Sequence, residues 1–401
     1  MAEPKKNELL RYLESRRGEM IATLRAMVEI ESPSFNKQAV DRLGEMLAGE
    51  FEARGGRVKR HKTRDFGDHL EIEFRCSSEE NPRPSQHRAR LGPPGPVLLL
   101  GHMDTVWDLG TLKTMPFRQK SGRLHGPGVY DMKAGIAQML FAIEALREVR
   151  GGLPRTVRVL LVTDEEVKSE SSRDVLKKLA MKAAAVLVLE PSAGARGALK
   201  TARKGVGEYR VKITGCPSHA GLDPQKGHSA ILELARQIER IAGFTDLKRG
   251  ITVNPGVIRG GTRTNVVAAE AVVEVDARVS RMEDAPRLNR KFHALRPVDK
   301  ICRIEISGGI NRPPLERTPA VVNLFQQAKA LAAELGIQVE EAAVGGGSDG
   351  NFTAAWGIPT LDGLGAVGEG AHAAYESVVV AEMARRTALL ASLIESLVPS
   401  R

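Results

Sequence analysis

Side chains that could bind a metal ion follow three short apolar runs of the sequence. His102 and Asp104 come directly after the first run, a set of three acidic residues follows the second, and Glu190 follows the third. Ligands of open α/β sheets bind outside the carboxyl ends of the strands, so these side chains would meet at one sheet edge. An imidazole and several carboxylates placed together would repel each other strongly unless a cation neutralised them. The three runs are Val97–Leu100, Val157–Val162 and Val186–Leu189, and the acidic set is Asp164, Glu165 and Glu166.

Two further residues extend this set. Asp131 precedes a helical pattern, and His372 lies in the loop Gly370–Ala373. Each piece alone usually has a structural explanation, since a His-x-Asp is most often a hydrogen-bonded pair and a Glu-Glu pair is usually a solvated helix start. Independent strand ends, however, have no structural reason to carry His, Asp and Glu residues together. The coincidence therefore favours a metal site over separate structural contacts.

Hydrophobic periodicity predicts the elements that must position these residues. The three runs lack polar alternation, which is typical of strands buried on both faces of a parallel sheet. Between the first two runs, apolar residues recur every three to four positions over 132–146 and predict the crossover helix that parallel strands need. Further helices are expected at 8–30 and 37–53, a strand at 358–361 and a helix at 378–397.

A second pattern begins near residue 205. Tyr209, Val211 and Ile213 alternate with polar residues, as expected for a sheet with one solvated face. Helical and alternating segments then follow in the order β-α-β-β-α-β. The sequence therefore predicts an α/β domain that is discontinuous, with a ferredoxin-like α+β domain inserted into it. The predicted boundaries are 1–204 and 311–401 for the two parts of the first domain and 205–310 for the insert.

Composition places the chain among globular proteins. Its 401 residues are 42% hydrophobic and 27% charged, which suits roughly two or three domains and excludes a disordered chain, collagen or a disulfide scaffold. The longest apolar runs are far shorter than the ~20 residues of a membrane-spanning helix. Three scattered cysteines favour reduced thiols. The first ten residues show no apolar stretch with a cleavage site, so we expect no signal peptide and a cytoplasmic location.

The net charge is +10, from 59 basic and 49 acidic residues, and it is spread along the chain. Such a balance attracts anions. Nucleic acid is not favoured, because only 4% of the residues are aromatic and the local basic cluster Arg83–Arg90 lies among prolines, where a solvated loop is expected. The charge is equally consistent with a small anionic substrate.

Five motifs occur along the chain, at Gly101–Val106, Gly126–Gly135, Thr163–Glu166, Ser218–Gly221 and Gly345–Asp349. In order and approximate spacing they resemble those of the di-zinc amidohydrolases and carboxypeptidases, a family that includes bacterial glutamate carboxypeptidase, acetylornithine deacetylase and succinyl-diaminopimelate desuccinylase. The resemblance covers nearly the whole chain. It implies a mixed-sheet zinc-hydrolase domain with helices on both faces and an inserted domain that serves dimerisation.

The resemblance also implies two zinc ions that share Asp131 as a bridging ligand. His102 and Glu190 would complete one site, and Glu166 and His372 the other. A mixed set of nitrogen and oxygen ligands suits catalytic zinc, and cobalt or manganese would also be accommodated. The peptide bond that follows Asp131 is expected to be cis, as in related di-zinc enzymes.

Further roles are implied around the metals. Asp104 would orient the imidazole of His102, and Glu165 would act as general base, passing a proton from water to the leaving amine. His219, in the insert, would reach into the partner subunit's active site and stabilise the tetrahedral oxyanion. The residues implied for binding the carboxylate of the substrate are Asn265, Arg278 and Arg312. The run Gly345–Gly347 would let the backbone approach the substrate.

Structural alternatives stay open for three of these features. His219 could be an ordinary turn histidine, Arg278 could be a solvent-facing strand residue, and the run Gly345–Gly347 could be a simple flexible turn. The sequence by itself does not decide between these explanations and the functional ones.

The predicted function is that of a homodimeric, zinc-dependent hydrolase similar to glutamate carboxypeptidase. It would cleave the amide bond of an N-acyl amino acid or peptide and release a C-terminal amino acid. Glu190 favours this over the branch resembling aminotripeptidase and dipeptidase, which tends to carry Asp there. The alternatives are an N-acyl amino acid deacylase of the acetylornithine or succinyl-diaminopimelate type, a dipeptidase, or a catalytically silent metal-stabilised binding protein. No ligand or base is missing from the sequence, which argues against a silent protein.

Overall fold

The computed structural model describes residues 5–77 and 95–397, and within them the chain divides into two compact units. The division falls after Thr201 and after Glu316, where the sequence predicted 204 and 310, and the sequence pattern did not indicate that a later, four-residue segment belongs to the second unit. The basic cluster Arg83–Arg90 lies outside the described residues. Unit 1 holds the described residues up to Thr201, Arg317–Ala343 and the described residues from Ser348 onwards, and unit 2 holds Ala202–Glu316 and Val344–Gly347.

Unit 1 is built around a six-stranded mixed sheet. Its strands, in spatial order, are β1 (Arg57–His61), β2 (His69–Phe74), β6 (Val157–Val162), β3 (Val97–His102), β7 (Ala185–Val188) and β14 (Thr360–Leu361). The pairs β1/β2 and β2/β6 are antiparallel, and the other neighbours are parallel. Strands β3 and β7 are buried along their whole length, as their unbroken apolar runs predict. The loops that leave β3, β6 and β7 therefore emerge at one edge of the sheet.

The helices of unit 1 are α1 (Lys5–Ser15), α2 (Arg17–Val28), α3 (Lys37–Ala53), α4 (Ala134–Arg150), α5 (Arg173–Ala180), α8 (Pro319–Glu334), α9 (Gly350–Ala355) and α10 (Val380–Ser396). The predicted crossover helix is α4, which follows β3 and precedes β6. Every residue from Ala134 to Ile143 is buried, because α4 lies between the sheet and the helices α1, α2 and α10. A helix buried all round has no polar face to show in its sequence pattern.

The N-terminal helical region differs from the expected single helix over 8–30. It forms the two helices α1 and α2, because Arg16 between them leaves helical geometry, with φ −92° and ψ 3°. Nε of Arg16 donates to the carboxylate of Glu144 on α4 at 3.2 Å, and the hydroxyl of Tyr12 donates to the same carboxylate at 2.9 Å. This contact is distant in sequence, so periodicity alone did not reveal the break.

A small antiparallel sheet in unit 1 carries one of the candidate histidines. Its strands, in spatial order, are β15 (Gly368–Glu369), β16 (Ser377–Val379), β5 (Arg123–His125) and β4 (Arg118–Lys120). The loop between β15 and β16 contains His372, so the hairpin fixes both ends of that loop. Two further strands, β8 (Leu199–Arg203) and β13 (Glu341–Val344), form a two-stranded sheet.

Unit 2 consists of β9 (Gly205–Thr214), α6 (Ala230–Ala242), β10 (Thr252–Gly260), β11 (Glu270–Val279), α7 (Asp284–His293) and β12 (Arg303–Arg312). The strand order is β10-β11-β9-β12, and every neighbouring pair is antiparallel. Alternate residues of β9 and β11 are buried, as the alternating sequence predicts. The ring of Tyr209 stacks on that of Phe292 from α7, with 3.7 Å between the ring centroids, so one face of the sheet packs against the helices.

No helix in the described ranges is both long enough and apolar enough to cross a lipid bilayer.

A buried arginine supports the loop beside Glu190. Arg386 of α10 is 1% exposed and donates to three main-chain carbonyls, those of Gly197, Gly363 and Gly365. The N–H of Gly365 in turn donates to the carbonyl of Glu190 at 2.9 Å. Burial lowers the pKa of Arg386 to about 10, so the side chain is still charged at neutral pH. Arg386 therefore anchors the chain segment against which Glu190 is held.

Replacing Arg386 by Met is expected to lower the free energy of unfolding by at least about 3 kcal/mol, because three buried carbonyls lose their donor and each costs roughly 1–3 kcal/mol. Urea unfolding followed by circular dichroism measures the change. The matched control is Arg385→Met on the same helix, which removes an exposed contact to the carbonyl of Gly336 and should cost under about 1 kcal/mol. Equal losses for the two variants would contradict the anchoring role.

Candidate metal centre

Five side chains of unit 1 meet at the edge of the six-stranded sheet where β3, β6 and β7 end. Each comes from a different segment. Three of them lie at or shortly after the ends of β3, β6 and β7, so these strands set the spacing of those three. His102 is the last residue of β3, Asp131 lies in the turn before α4, Glu166 follows β6, Glu190 follows β7, and His372 comes from the hairpin loop of the small sheet.

The first group of metal-ligand atoms consists of His102, Asp131 and Glu190. Nε2 of His102 lies 3.2 Å from Oδ1 of Asp131 and 3.5 Å from Oε1 of Glu190. His102 and Glu190 are buried. One candidate ligand atom from each of the three residues lies within 4.8 Å of the other two, a spacing that lets one cation contact all three.

The second group consists of Asp131, Glu166 and His372. Nε2 of His372 lies 3.2 Å from Oε1 of Glu166 and 3.5 Å from Oδ2 of Asp131. The side chain of His372 is half exposed, so this group opens toward solvent. The backbone of His372 has φ 62°, the left-handed conformation, which is uncommon for residues other than glycine and clusters at functional sites.

Asp131 belongs to both groups, and its two oxygens serve different histidines. Oδ1 is the atom close to His102, and Oδ2 is the atom close to His372. A carboxylate placed in this way can bridge two cations. Each group offers one imidazole nitrogen together with carboxylate oxygens, a donor set that suits Zn²⁺ and also accommodates Co²⁺ or Mn²⁺. The residues present therefore fit two divalent ions.

The pKa values of these residues show how strongly the site favours positive charge. Burial alone would lower the pKa of His102, but the three neighbouring carboxylates, those of Asp104, Asp131 and Glu190, outweigh it and raise that pKa well above its usual value. The hydrogen bond to Glu166 raises the pKa of His372 to about 9. Burial raises the pKa of Glu166. The crowded carboxylates thus favour protons on their neighbours, and a metal ion would supply the same compensating charge.

Asp104 holds two loops at once. Nδ1 of His102 donates to the main-chain carbonyl of Asp104 at 2.9 Å, whereas it lies 3.5 Å from the Asp104 carboxylate. That carboxylate accepts the N–H groups of Glu165 and Glu166 at 3.3 and 3.2 Å, and the hydroxyl of Ser34 at 2.8 Å. The main chain of Asp104 therefore orients the imidazole, and its carboxylate fixes the turn that carries both glutamates.

Glu165 stands at the start of the short turn Glu165–Val167, directly before the ligand candidate Glu166. Hydrogen bonds between Asp164 and Ser171 connect the two ends of the loop that contains this turn. Oδ2 of Asp164 accepts the N–H and the hydroxyl of Ser171, each at 2.7 Å. His69 contacts the same hydroxyl at 3.2 Å through Nε2. The position of Glu165 is thus defined by polar contacts on both sides of the turn.

Sequence reasoning missed three polar residues that support the site. Ser34 and His69 lie far from the motifs along the chain and carry no local signal. Glu376, four residues after His372, has a weak signal, since it is an acidic residue in the same loop. The peptide bond between Asp131 and Met132 is cis, as expected.

His219, the candidate oxyanion donor, belongs to unit 2 and is exposed. Its Nδ1 accepts the N–H groups of Gly221 and Leu222, each at 3.1 Å. Because Nδ1 is an acceptor, the neutral imidazole carries its proton on Nε2. The ring therefore presents an N–H donor on its far side. Asn265 lies nearby, since its main-chain carbonyl accepts the N–H of Ala220 at 3.0 Å.

The two candidate arginines of unit 2 have different surroundings. Arg278 makes a bidentate pair with Asp276, with Nε–Oδ1 and Nη2–Oδ2 distances of 3.0 Å, and donates to the carbonyl of Gly345 at 2.9 Å. It would have to share these contacts with a substrate carboxylate. Arg312 is buried. A Cβ atom at Gly347 would lie 3.0 Å from Cδ of Arg312, so the glycine lets the backbone approach this arginine closely.

Comparison with known proteins identifies the family of this chain. The model of peptidase family M20/M25/M40 matches residues 98–396. The chain belongs to this family. It is therefore an enzyme of the peptide- and amide-hydrolysing kind, and its family is metal-dependent.

Individual relatives are distant in sequence but similar over long stretches. The chain is 28% identical over 404 residues to carboxypeptidase G2 of Pseudomonas sp. (strain RS-16), covering 99% of this chain and 94% of that protein. It is 29% identical over 305 residues to succinyl-diaminopimelate desuccinylase of Bordetella petrii, covering 70% and 78%. The crystal structure of aminopeptidase PepT from Bacillus cereus has the same fold, with a TM-score of 0.77, 22% identity and coverage of 95% and 98%.

Because Asp131 lies in both groups, Asp131→Asn is expected to weaken metal binding at both, by more than the roughly 10–100-fold that loss of a supporting contact costs. Glu190→Gln should weaken binding in one group only. Titration of metal-free protein with Co²⁺, followed by calorimetry and visible absorption, separates the two outcomes. A loss of two equivalents in Glu190→Gln, or of only one in Asp131→Asn, would contradict the shared role.

Proposed function

We propose that this chain is a di-zinc hydrolase that cleaves the amide bond of an N-acyl amino acid or peptide and releases a C-terminal amino acid, in the manner of a glutamate carboxypeptidase. The observation that carries the proposal is the pair of three-residue ligand groups that share Asp131, with Glu165 next to them. The long match to carboxypeptidase G2 supports the carboxypeptidase class. The net charge of +10 favours an anionic substrate.

The geometry of the two groups supports the following ligand roles. Asp131 would bridge the two ions, with His102 and Glu190 on one and Glu166 and His372 on the other. Bound zinc would act as a Lewis acid toward the scissile carbonyl and lower the pKa of water. Glu165 would accept the proton of the attacking water and deliver it to the leaving nitrogen. The carboxylate of Asp104 would keep Glu165 in place by accepting a hydrogen bond from the N–H of Glu165.

Two tasks are proposed for unit 2. His219 would donate a hydrogen bond from its Nε2–H to the oxyanion that forms when water adds to the carbonyl. Its tautomer suits this task, because Nδ1 is already occupied as an acceptor. Asn265, Arg278 and Arg312 would hold the carboxylate of the substrate, to which the arginine fork is suited.

Unit 2 is also proposed as a ferredoxin-like dimerisation domain. Strand β10 lies at the edge of its sheet, and Val257 and Ile258 on this strand are 44% and 56% exposed. Leu232 on α6 is 61% exposed. An open strand edge beside exposed apolar side chains favours an isologous contact with a second copy. In such a dimer His219 would serve the active site of the partner subunit.

The second candidate function is that of an N-acyl amino acid deacylase, favoured by the match to a succinyl-diaminopimelate desuccinylase. A substrate panel distinguishes the two. Zinc-loaded protein is assayed with dipeptides and N-acyl amino acids whose C-terminal residue is Glu, Asp, neutral or basic. Preference for C-terminal Glu across different acyl groups supports the carboxypeptidase, and preference for one acyl group on basic amino acids supports the deacylase. No hydrolysis of any member, with or without added zinc, would refute both.

Replacing Glu165 by Gln is expected to lower kcat by at least about 10²–10⁴-fold, the usual contribution of a general base, while both metal equivalents stay bound. Metal analysis together with steady-state kinetics measures this. Glu170→Gln, an exposed glutamate in the same loop, is the matched control and should retain activity. If Glu165→Gln loses metal, the residue is a ligand, and if it keeps full activity, it has no part in the reaction.

Replacing His219 by Ala is expected to lower kcat by about 10²–10³-fold, as for other oxyanion donors, with metal content and fold unchanged. Mixing the inactive His219→Ala and Glu165→Gln proteins should then restore activity, because one site of each mixed dimer has an intact base and an intact histidine from opposite chains. Subunit exchange is verified by mass spectrometry of differently tagged chains. Exchange without recovery would show that His219 does not act across the dimer.

A further inference from the structure

One buried carboxylate in unit 1 accepts four hydrogen bonds next to the ligand groups. Glu376 is fully buried. Its Oε1 accepts the N–H groups of Tyr130 and Asp131 at 2.8 and 3.0 Å. Its Oε2 accepts the N–H of Gly128 at 3.0 Å and the indole Nε1–H of Trp107 at 2.9 Å. All four donors are N–H groups, so only an acceptor with four lone-pair sites satisfies them.

These four contacts join three loops that carry ligand candidates. The donors Gly128, Tyr130 and Asp131 belong to the turn in which Asp131 lies. Trp107 belongs to the loop that leaves β3 after His102. Glu376 itself ends the loop of His372, and its N–H donates to the carbonyl of Ala373 at 2.8 Å.

The contacts to Asp131 are especially direct. One bond ends on the N–H of Asp131 itself, and another on the N–H of the residue before it. The position of the Asp131 backbone therefore depends on Glu376, and the Asp131 carboxylate is the one that faces both histidines. A shift of this backbone would change its distances to both histidines together.

We propose that Glu376 is a positioning residue for the metal centre: it fixes the loops of His102, Asp131 and His372 relative to one another, so that the shared carboxylate reaches both ligand groups. The inference rests on the proposed function, since it concerns the binding of two ions. It assigns a task to a side chain that is not itself among the metal-ligand candidates.

The chemistry of the side chain indicates what its replacement does. A glutamine of the same shape keeps one acceptor oxygen and places an NH₂ group where the second oxygen was. Two of the four N–H donors then face another donor, and buried donors without an acceptor are costly. The turn of Asp131 or the indole of Trp107 must move to relieve this conflict. The ligand spacing changes as a result, even though all five ligand candidates are retained.

The test compares Glu376→Gln with Glu144→Gln. Glu144 is a suitable control, because its carboxylate is also mostly buried and accepts from three side chains, Tyr12, Arg16 and Arg54, outside the ligand loops. Metal-free proteins are titrated with Zn²⁺ and with Co²⁺ by calorimetry, and the visible absorption of the Co²⁺ forms is recorded. Thermal unfolding of the metal-free forms reports on stability alone.

Glu376→Gln is expected to weaken metal binding by about 10–100-fold, the usual effect of losing a contact that orients a ligand, and to shift the Co²⁺ absorption bands. Glu144→Gln should lower thermal stability while its affinity stays within twofold of the unmodified protein and its spectrum is unchanged. Glu376→Asp, which keeps the charge but is one methylene shorter, should fall between the unmodified protein and Glu376→Gln. If Glu376→Gln does not fold, Glu376→Asp and Trp107→Phe, which removes one of the four donors, are compared with Glu144→Gln in the same way.

An unchanged affinity and Co²⁺ spectrum in every folded Glu376 and Trp107 variant would overturn the inference. So would an equal loss of affinity in Glu144→Gln, since the effect would then be one of general stability. If the unmodified protein binds no metal stoichiometrically, it is the proposed function that fails, and this outcome is distinguished by the first titration.

Discussion

Like charge held at one sheet edge is the constraint on which the rest of unit 1 depends. In each ligand group the carboxylate of Asp131 lies within 4.8 Å of a second carboxylate, that of Glu190 or that of Glu166. Carboxylates repel each other at this distance. The fold opposes that repulsion with two kinds of contact. The imidazoles of His102 and His372 lie between the carboxylates, and backbone N–H groups hold the supporting acids Asp104 and Glu376. A divalent ion in each group would remove the remaining repulsion.

The sequence predicts the parts of this site that are local in the chain. A buried strand followed by a ligand residue is visible as an apolar run with His102, Glu166 or Glu190 after it, because the end of a parallel strand fixes where the next residues lie. The central helix α4 is also predicted by a local pattern, because apolar residues recur every three to four positions along it. His372 lies outside the strand pattern, in a loop near the end of the chain, and only the family resemblance linked it with Glu166 and Asp131.

The parts that could not be predicted depend on contacts between distant segments. Arg16, where the helix breaks, contacts Glu144 more than a hundred residues later, and hydrophobic periodicity does not show this contact. Ser34 reaches Asp104 only after the fold is formed. The carbonyl of Asp104 accepts from His102, whereas its carboxylate accepts from the Glu165–Glu166 turn. These two contacts could be identified only once the positions of both loops were known. Such details are tertiary and leave no local trace.

The discontinuity of unit 1 has a consequence for synthesis of the protein. The ribosome makes the chain from its N-terminus, so His102, Asp131, Glu166 and Glu190 emerge before the whole of unit 2, and His372 emerges after it. A nascent chain can therefore assemble its first ligand group early, whereas the second has to wait for the final segments. The same delay applies to the core, because α1 and α4 pack against α10. Completion of the candidate metal centre thus coincides with completion of the fold, and a partly made chain lacks the second ligand group.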